Sequence, residues 1–305
     1  MILPKRITRG DTVGVIAPAS PPNYENLQKG ITFLQSLGLH VKVGERLKST
    51  YGYLAGTDQE RIDDLHSMFA DQSVKAVICA CGGYGTARIS DKLNYRLIAN
   101  NPKIFWGYSD ITYLHTAINQ ETGLVTFHGP MISSDLAKKD FDQLSKQMFL
   151  QLFEPTQIIY TEQLSSLQVV AKGETVAEII GGNLTLITST LGTRYEVNTK
   201  GKILLIEDVD EAPYRIDSML NQLQLAGKLD DAAGIVIGNF KHAVAKNELP
   251  SLSLDQVLDT YFANLSKPVM KGFNIGHCIP NIAIPLGKAK LSTNDKKLII
   301  APGVI

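Results

Sequence analysis

The sequence has little cysteine and tryptophan, and it lacks both an excess of one charge and a long apolar run. Its 305 residues include three cysteines, too few and odd in number for a disulfide framework. Lys plus Arg and Asp plus Glu both total 30, so neither nucleic acid nor a cationic partner is indicated. No apolar run approaches the ~20 residues of a membrane helix, and the polar segment 1–11 is unlike a signal peptide. These absences predict a reduced, cytoplasmic protein with no nucleic-acid or membrane partner.

The first half of the chain alternates short apolar runs with stretches of helical periodicity. Because the runs are apolar throughout, they are typical of parallel strands covered on both faces. The predicted strands are Thr12–Ala17, Val41–Val43, Val74–Ala80 and Lys103–Tyr108. The predicted helices are Asn26–Gly38, Arg61–Phe69 and Ser109–Ile118.

The second half has more strands and fewer helices. Strands are predicted at Leu167–Val170, Glu178–Ile180, Lys202–Ile206, Gly234–Gly238 and Lys297–Ile300. Helices are predicted at Tyr214–Leu225 and Leu254–Leu265. The length fits about two domains, and the polar segment Thr161–Ser166 marks a boundary near 155–166. We therefore predict one α/β domain over 1–160 and a mixed α/β domain with substantial β content over 161–305.

Ser109 is a candidate nucleophile because it lies where an apolar strand is predicted to turn sharply into a helix. Such an elbow exposes the serine above the sheet, and the N–H of the next residue, Asp110, can donate to an oxyanion. The alternative is that Ser109 or Asp110 only caps the helix, since Gly107-Tyr108-Ser109-Asp110 lacks a second glycine.

A glycine-rich loop, Cys81-Gly82-Gly83-Tyr84-Gly85, follows the strand predicted at Val74–Ala80. In a parallel sheet this loop opens at the same carboxyl edge as the serine elbow. Consecutive glycines let backbone N–H groups approach a ligand closely. The alternatives are a tight turn or a phosphate loop, although the sequence has neither of the usual phosphate-loop patterns here.

The chain offers two candidate histidines to act as the base for a serine, and one candidate acidic segment. His128 and His277 both lie in glycine- and proline-flanked loops, and their spacing does not separate them. Glu207 and Asp208 end a fully apolar strand, where a buried carboxylate needs a partner such as an imidazole N–H. Their alternative role is a solvated loop or a helix cap. The resulting chain order is serine, acid, histidine.

These segments resemble the LD-carboxypeptidase (muramoyltetrapeptide carboxypeptidase) family of serine peptidases almost from end to end. In the first half the matching segments are 15–20, 54–58 with Arg61 and 64–65, 82–85 with Arg88, 107–110 and 128–130. In the second half they are 181–184, 191–193, 206–208 with 214–217, and 276–277. One departure is Cys81, where the family commonly has arginine, and it affects the expected details of substrate binding more than the catalytic residues.

The resemblance implies a triad of Ser109, His277 and Glu207, and it thereby selects His277 over His128. It also implies an N-terminal domain like class I glutamine amidotransferases, a distinct C-terminal domain and a homodimer. The expected oxyanion donors are the N–H groups of Asp110 and of Gly83, with Gly82 as the alternative to Gly83. The expected substrate-binding residues are Gly82, Tyr84 and His128. The expected reaction uses neither a metal nor another cofactor.

The implied function is hydrolysis of an L,D-peptide bond that releases the terminal D-alanine of murein tetrapeptide during cell-wall recycling. One alternative is a microcin C immunity-type peptidase that cleaves peptidyl- or aminoacyl-nucleotide conjugates. That alternative predicts an added aromatic segment for stacking on a base, and none is obvious here. A non-catalytic peptide-binding module is disfavoured because all three triad positions hold competent residues. A cysteine amidotransferase would instead carry Cys at the elbow.

Overall fold

The computed structural model describes residues 1–138, 141–245 and 250–305, which include every candidate site residue. The strands of these segments are β1 Thr12–Ile16, β2 His40–Val43, β3 Val74–Cys79, β4 Ile104–Gly107, β5 Phe127–His128, β6 Ile158–Tyr160, β7 Gln168–Ala171, β8 Glu174–Asn183, β9 Ile203–Val209, β10 Gly234–Lys241, β11 Val269–Lys271, β12 Ile284–Pro285, β13 Lys288–Ser292 and β14 Lys297–Ile300.

The α-helices of the described segments are α1 Tyr24–Ser36, α2 Asp58–Ala70, α3 Tyr95–Asn100, α4 Thr112–Thr122, α5 Gln143–Gln147, α6 Leu184–Ser189, α7 Pro213–Leu225, α8 Lys228–Asp231 and α9 Leu254–Phe262. Short 3₁₀ turns occur at Thr86–Arg88, Ser90–Lys92, Ser109–Ile111 and Met148–Leu152. None of the helices in these segments is long and apolar enough to cross a membrane.

Two compact units make up the chain. The first contains Met1–Thr156, Ile282–Pro285 and Pro302–Ile305, and the second contains Gln157–Asn281 and Leu286–Ala301. The chain therefore returns to the first unit twice, once as β12, which pairs antiparallel with β5. The division into domains 1–160 and 161–305 stays a prediction.

The first unit contains a sheet with the strand order β12-β5-β4-β3-β1-β2, in which β1 to β5 are parallel. Alternate side chains enter different apolar clusters, with Val13 and Val15 in one cluster and Ile16 in the other. Both faces of the sheet are therefore buried, as the continuously apolar strands indicated. The predicted parallel-sheet α/β fold of this half is confirmed.

The second unit contains a mixed sheet with the order β6-β14-β13-β8-β9-β10-β11-β7. Its strands β8 to β11 are parallel, and the outer strands on both sides pair antiparallel. Helices α6, α7 and α9 contribute to one apolar cluster with β9 and β10. The predicted mixed α/β fold with substantial β content is confirmed.

Local sequence signals explain where two of the helices begin. Helix α2 starts with a capping box, in which Thr57 accepts from the Glu60 N–H and Glu60 accepts from the Thr57 N–H. Helix α7 has Pro213 in its first turn, where the missing N–H costs no intrahelical bond. The segment predicted as the helix Ser109–Ile118 begins instead as a 3₁₀ turn and continues as α4 to Thr122.

Candidate active site

Ser109 lies at a sharp turn between β4 and the 3₁₀ turn that leads into α4. Tyr108 is extended, with φ −156° and ψ −167°, whereas Ser109 has φ 63°. A non-glycine residue rarely adopts a positive φ, and such strain persists where the surrounding structure imposes it. Ser109 is partly exposed, between the buried residues Tyr108 and Asp110. This backbone fits the nucleophile elbow that the sequence indicated.

The backbone beneath the elbow is held by a buried histidine. His115 Nε2 lies 2.9 Å from the carbonyl oxygen of Gly107, which also accepts from the Gly129 N–H at 3.1 Å. Burial lowers the pKa of His115 to about 4, so the ring stays neutral at pH 7 and Nε2 donates. His115 is therefore a structural donor to the elbow.

The glycine loop lies directly against Ser109. A Cβ atom at Gly82 would be 3.0 Å from Ser109 Cβ and 3.2 Å from its Oγ, closer than packed side chains normally approach. Gly83 has φ 107°, and a Cβ atom there would lie 2.3 Å from Ser20 Oγ. Ser20 also accepts from the Tyr84 N–H at 3.1 Å. Glycine therefore allows the loop to approach the elbow at position 82 and Ser20 at position 83.

Asp110 links the elbow to the glycine loop through its side chain and its carbonyl. Its Oδ2 accepts from the Thr86 N–H at 2.9 Å, and Thr86 Oγ1 donates to the Asp110 carbonyl at 2.6 Å. Burial raises the pKa of the Asp110 carboxyl group, although hydrogen bonds from Thr86 and from the Gly85 backbone N–H oppose the increase. The side chain of Asp110 thus has a structural role. Thr86 was missed in the sequence because no local pattern marks a partner 24 residues away.

A buried arginine holds the same loop from the other side. Arg61 Nη1 donates to the carbonyls of Pro18 at 2.6 Å and Gly85 at 2.8 Å, and its Nη2 donates to Asp58 Oδ1 at 2.7 Å. The Arg61 side chain is fully buried. It therefore fixes the two loops that follow β1 and β3.

Cys81 is the residue that departs from the family pattern. Its Sγ lies 3.1 Å from the Ser20 carbonyl, and burial raises its pKa to about 12. The thiol is therefore neutral and packs within the loop, and it does not supply the positive charge that an arginine would bring.

Glu207 and His277 form a close pair in the second unit. His277 Nδ1 lies 2.7 Å from Glu207 Oε2, which also accepts from the His277 backbone N–H at 3.3 Å. Glu207 is fully buried on β9, and the His277 side chain is 15% exposed. A Cβ atom at Gly276, where φ is 102°, would lie 2.3 Å from Glu207 Oε2. Glycine before His277 therefore makes room for the carboxylate.

The neighbouring acid, Asp208, has a different role. Its carboxylate accepts from Asn183 Nδ2 at 2.8 Å and from the N–H and Oγ1 of Thr185 at 3.0 and 2.9 Å. Burial, followed by the charge of Glu207, raises the pKa of Asp208. Of the two acids at the end of this strand, Asp208 thus holds the start of α6 and Glu207 contacts the histidine.

The remaining candidate substrate residues differ in accessibility. Tyr84 is 50% exposed, whereas His128 is 0% exposed on β5, where it pairs with Gly107. The His128 ring packs edge-on against Tyr108 with centroids 5.6 Å apart. His128 thus contacts the residue before Ser109, and its role in substrate binding stays a prediction.

The candidate residues divide between the two units along the chain. Ser109, the glycine loop and His128 belong to the first unit, and Glu207 and His277 belong to the second. Within the described residues, no group of three or more His, Cys, Asp or Glu side chains is arranged to hold a metal ion.

Family profiles match both halves of the chain. The profile of the LD-carboxypeptidase N-terminal domain matches residues 13–129, and that of the LD-carboxypeptidase C-terminal domain matches residues 176–291. The first match contains Ser109 and the glycine loop, and the second contains Glu207 and His277.

Full-length relatives agree with these profiles. A protein named probable murein peptide carboxypeptidase from Bacillus subtilis strain 168 is 55% identical over 302 residues, covering 99% of this chain and 95% of its own. The structure of a muramoyltetrapeptide carboxypeptidase from Oxalobacter formigenes matches with a TM-score of 0.82 at 28% identity, over 94% of this chain and 97% of its own.

A solved structure of a microcin C7 self-immunity protein shares the fold. It matches with a TM-score of 0.90 at 23% identity, over 99% of this chain and 98% of its own. From the two domain profiles and the 55% identity over nearly its whole length, the chain belongs to the LD-carboxypeptidase family of peptidases.

Proposed function

We propose that this protein is a serine carboxypeptidase that hydrolyses an L,D-peptide bond and releases the terminal D-alanine of murein tetrapeptide. The hydrogen-bonded pair of Glu207 and His277, 2.7 Å apart, is the observation that carries the proposal. The strained elbow at Ser109 and the family membership support it. The names of the relatives support murein peptide as the substrate.

In the proposed mechanism Ser109 Oγ attacks the carbonyl carbon of the scissile bond. His277 Nε2 takes the serine proton and then gives it to the departing amine. In the second half of the reaction, His277 takes a proton from the water that attacks the acyl-enzyme and returns it to Ser109 Oγ as the acyl group leaves. Glu207 accepts from His277 Nδ1–H, so that the lone pair lies on Nε2 and the imidazolium is stabilised as it forms. All of these proton transfers use side chains of the chain itself.

Negative charge develops on the carbonyl oxygen when the serine attacks. We propose that the N–H groups of Asp110 and Gly83 donate to that oxygen, each lowering the barrier by about 3 kcal/mol. Asp110 follows Ser109 at the elbow, and Gly83 follows the glycine that packs against the serine side chain. The bonds from Thr86 and Arg61 hold both segments before substrate binds, so little reorganisation is required.

We also propose that the protein acts in the cytoplasm, as a homodimer, in cell-wall recycling. The three cysteines, none of which forms a disulfide, are consistent with a reducing compartment. The dimer rests on the family resemblance. Light scattering after size-exclusion chromatography should give a mass of twice 33.4 kDa, whereas the monomer mass at micromolar protein would contradict the dimer.

The substrate assignment is tested by offering the enzyme two kinds of substrate, a peptide and a nucleotide conjugate. Murein tetrapeptide and a peptidyl-nucleotide are incubated separately with the protein, and the products are analysed by mass spectrometry. We expect release of D-alanine from the first and no cleavage of the second. Cleavage of the nucleotide conjugate alone would assign the protein to the immunity-type activity instead.

A further inference from the structure

A cluster of cationic side chains surrounds Asp58 beside the glycine loop. Asp58 Oδ1 accepts from Arg61 Nη2 at 2.7 Å and from Arg88 Nε at 3.0 Å, and Oδ2 accepts from Lys92 Nζ at 3.2 Å. Burial alone would raise the pKa of Asp58, but the bonds from Arg88, Lys92 and Arg61 outweigh it and lower the pKa to about 2. The three cations outnumber the two carboxylates that act on them, which are Asp58 and, for Arg61, Asp110.

The excess charge is exposed to solvent through two of these side chains. Arg61 is buried and binds loop carbonyls, whereas the Arg88 and Lys92 side chains are 43% and 51% exposed. Local charge of one sign raises the concentration of an oppositely charged ligand, and a guanidinium is well suited to bind a carboxylate. This surface is therefore suited to an anionic group.

Two exposed tyrosines lie within electrostatic range of Arg88. Tyr53 and Tyr84 are 66% and 50% exposed, and their rings meet edge to face with centroids 5.5 Å apart. The pKa of Arg88 is raised first by Asp58, and the hydroxyl groups of the two tyrosines are within electrostatic range and raise it further when they ionise. Exposed rings beside a cation offer an apolar surface and hydroxyl groups to a bound peptide.

Only a few residues of the chain separate this surface from the residues that contact Ser109 and Asp110. Tyr84 is the second residue after Gly82, which packs against Ser109, and Arg88 is the second residue after Thr86, which binds Asp110. An extended peptide advances about 3.3 Å per residue, so a substrate attached at Ser109 can reach this surface within a few residues. The terminal carboxylate of the substrate lies only one residue beyond the scissile bond and so stays close to Ser109.

We infer that Tyr53, Tyr84, Arg88 and Lys92 form a subsite that binds a carboxylate carried by the substrate on the N-terminal side of the scissile bond. The inference rests on the proposed function, because it deepens the choice of substrate at the same site. Arg88 and Lys92 bind the carboxylate, and the two tyrosine rings contact the adjacent peptide. Asp58 and Arg61 position these groups and do not touch the ligand.

The test uses the double variant R88Q/K92Q and two tetrapeptides that differ in one group. In one peptide the internal acidic residue has its free carboxylate, and in the other the same residue carries a carboxamide. We expect the variant to raise KM for the acidic peptide about ten-fold, to leave kcat within about two-fold, and to leave KM for the amidated peptide unchanged. An equal change of KM for both peptides, or no change for either, would overturn the inference.

A matched control removes two other cations from the same unit. In K29Q/K42Q each lysine has comparable exposure, 53% and 47%, and each forms a salt bridge with one carboxylate. This control should leave both KM values unchanged, which separates a local effect from a change in overall charge. A ten-fold effect in the control as well would also count against the subsite.

A binding measurement separates this inference from the proposed function. The variant S109A, alone and combined with R88Q/K92Q, is titrated with both tetrapeptides by calorimetry. If the wild-type enzyme cleaves neither peptide, the proposed function fails. The subsite is then still supported by a loss of affinity confined to the acidic peptide, and it is contradicted by equal affinities.

Discussion

Nδ1 of His277 lies 2.7 Å from Oε2 of Glu207, and the same oxygen accepts a hydrogen bond from the His277 backbone N–H at 3.3 Å. Glu207 therefore holds His277 through both its imidazole ring and its backbone N–H. Because the carboxylate accepts a hydrogen bond from Nδ1–H, the free lone pair of the neutral ring lies on Nε2. In the mechanism that we propose, the histidine is thus oriented to take a proton before any substrate is bound.

Glu207→Gln tests whether this tautomer matters. The glutamine amide can donate to Nδ1, which would place the proton on Nε2 and remove the base. We expect kcat to fall by about 10³- to 10⁴-fold, as measured by D-alanine release. Glu174→Gln is the control, because Glu174 is an exposed acid paired with Lys290 in the same unit. A kcat for Glu207→Gln within about ten-fold of the wild type would contradict the assigned role.

Substitutions of Ser109 should separate stability from activity. Ser109 has φ 63°, which costs an L-residue about 1 kcal/mol more than glycine. Ser109→Gly and Ser109→Ala should both be inactive, but the glycine variant should be the more stable by about that amount. Thermal unfolding of the two variants measures the difference. A higher melting temperature for the alanine variant would show that the elbow is not strained.

Gly82→Ala should damage the reaction more than the fold. The added methyl group would lie 3.0 Å from Ser109 Cβ and 3.2 Å from Oγ, so the serine or the loop must move. A displacement of about 1 Å costs on the order of 10²-fold in rate, and we expect kcat to fall by about that factor. Gly201→Ala serves as the control, since it has open space around it and φ 67° and should affect stability alone. An unchanged kcat for Gly82→Ala would exclude the loop from the reaction.

The pH dependence of stability should contain a contribution from His115. Burial lowers its pKa from 6.5 to about 4, so the unfolded chain takes up this proton more readily than the folded one. The stability that depends on neutral His115 is present above pH 6.5 and is lost as the pH falls through 4. His115→Gln can keep a donor to Gly107 without this titration. We therefore expect the wild type to lose about 3 kcal/mol more than the variant over that range.

Melting temperatures measured between pH 7 and 4 provide the comparison for His115. The melting temperature of the wild type should fall more steeply than that of His115→Gln as the pH is lowered. Parallel curves would show that His115 does not titrate in this way.

Local patterns in the sequence were sufficient for the main elements of the fold. The apolar runs at Val74–Ala80 and Lys103–Tyr108 predicted β3 and β4 to within a residue or two at each end. The elbow at Ser109 and the loop at Gly82 were found because a strand end followed by serine or glycine is a local signal. The choice of His277 over His128 needed the family resemblance, because both histidines have similar neighbours along the chain.

Other features depend on residues that are distant in sequence. Ser20 packs against Gly83, and Arg61 binds the carbonyl of Gly85, but no periodicity links these positions. The strand β12 has only two residues and joins the first sheet after most of the second unit. Sequence patterns are weak for such short segments, since their conformation is set by tertiary pairing.

Release of D-alanine from murein tetrapeptide by the wild type and by Ser109→Ala is the most direct test of the central claim. Both proteins are incubated with the peptide at equal concentration, and D-alanine and the remaining tripeptide are quantified by mass spectrometry. We expect the wild type to produce the two products in equal amounts. The variant should be slower by a factor on the order of 10⁴ or more while remaining folded. Equal turnover by the two proteins, or cleavage at another bond, would contradict the account.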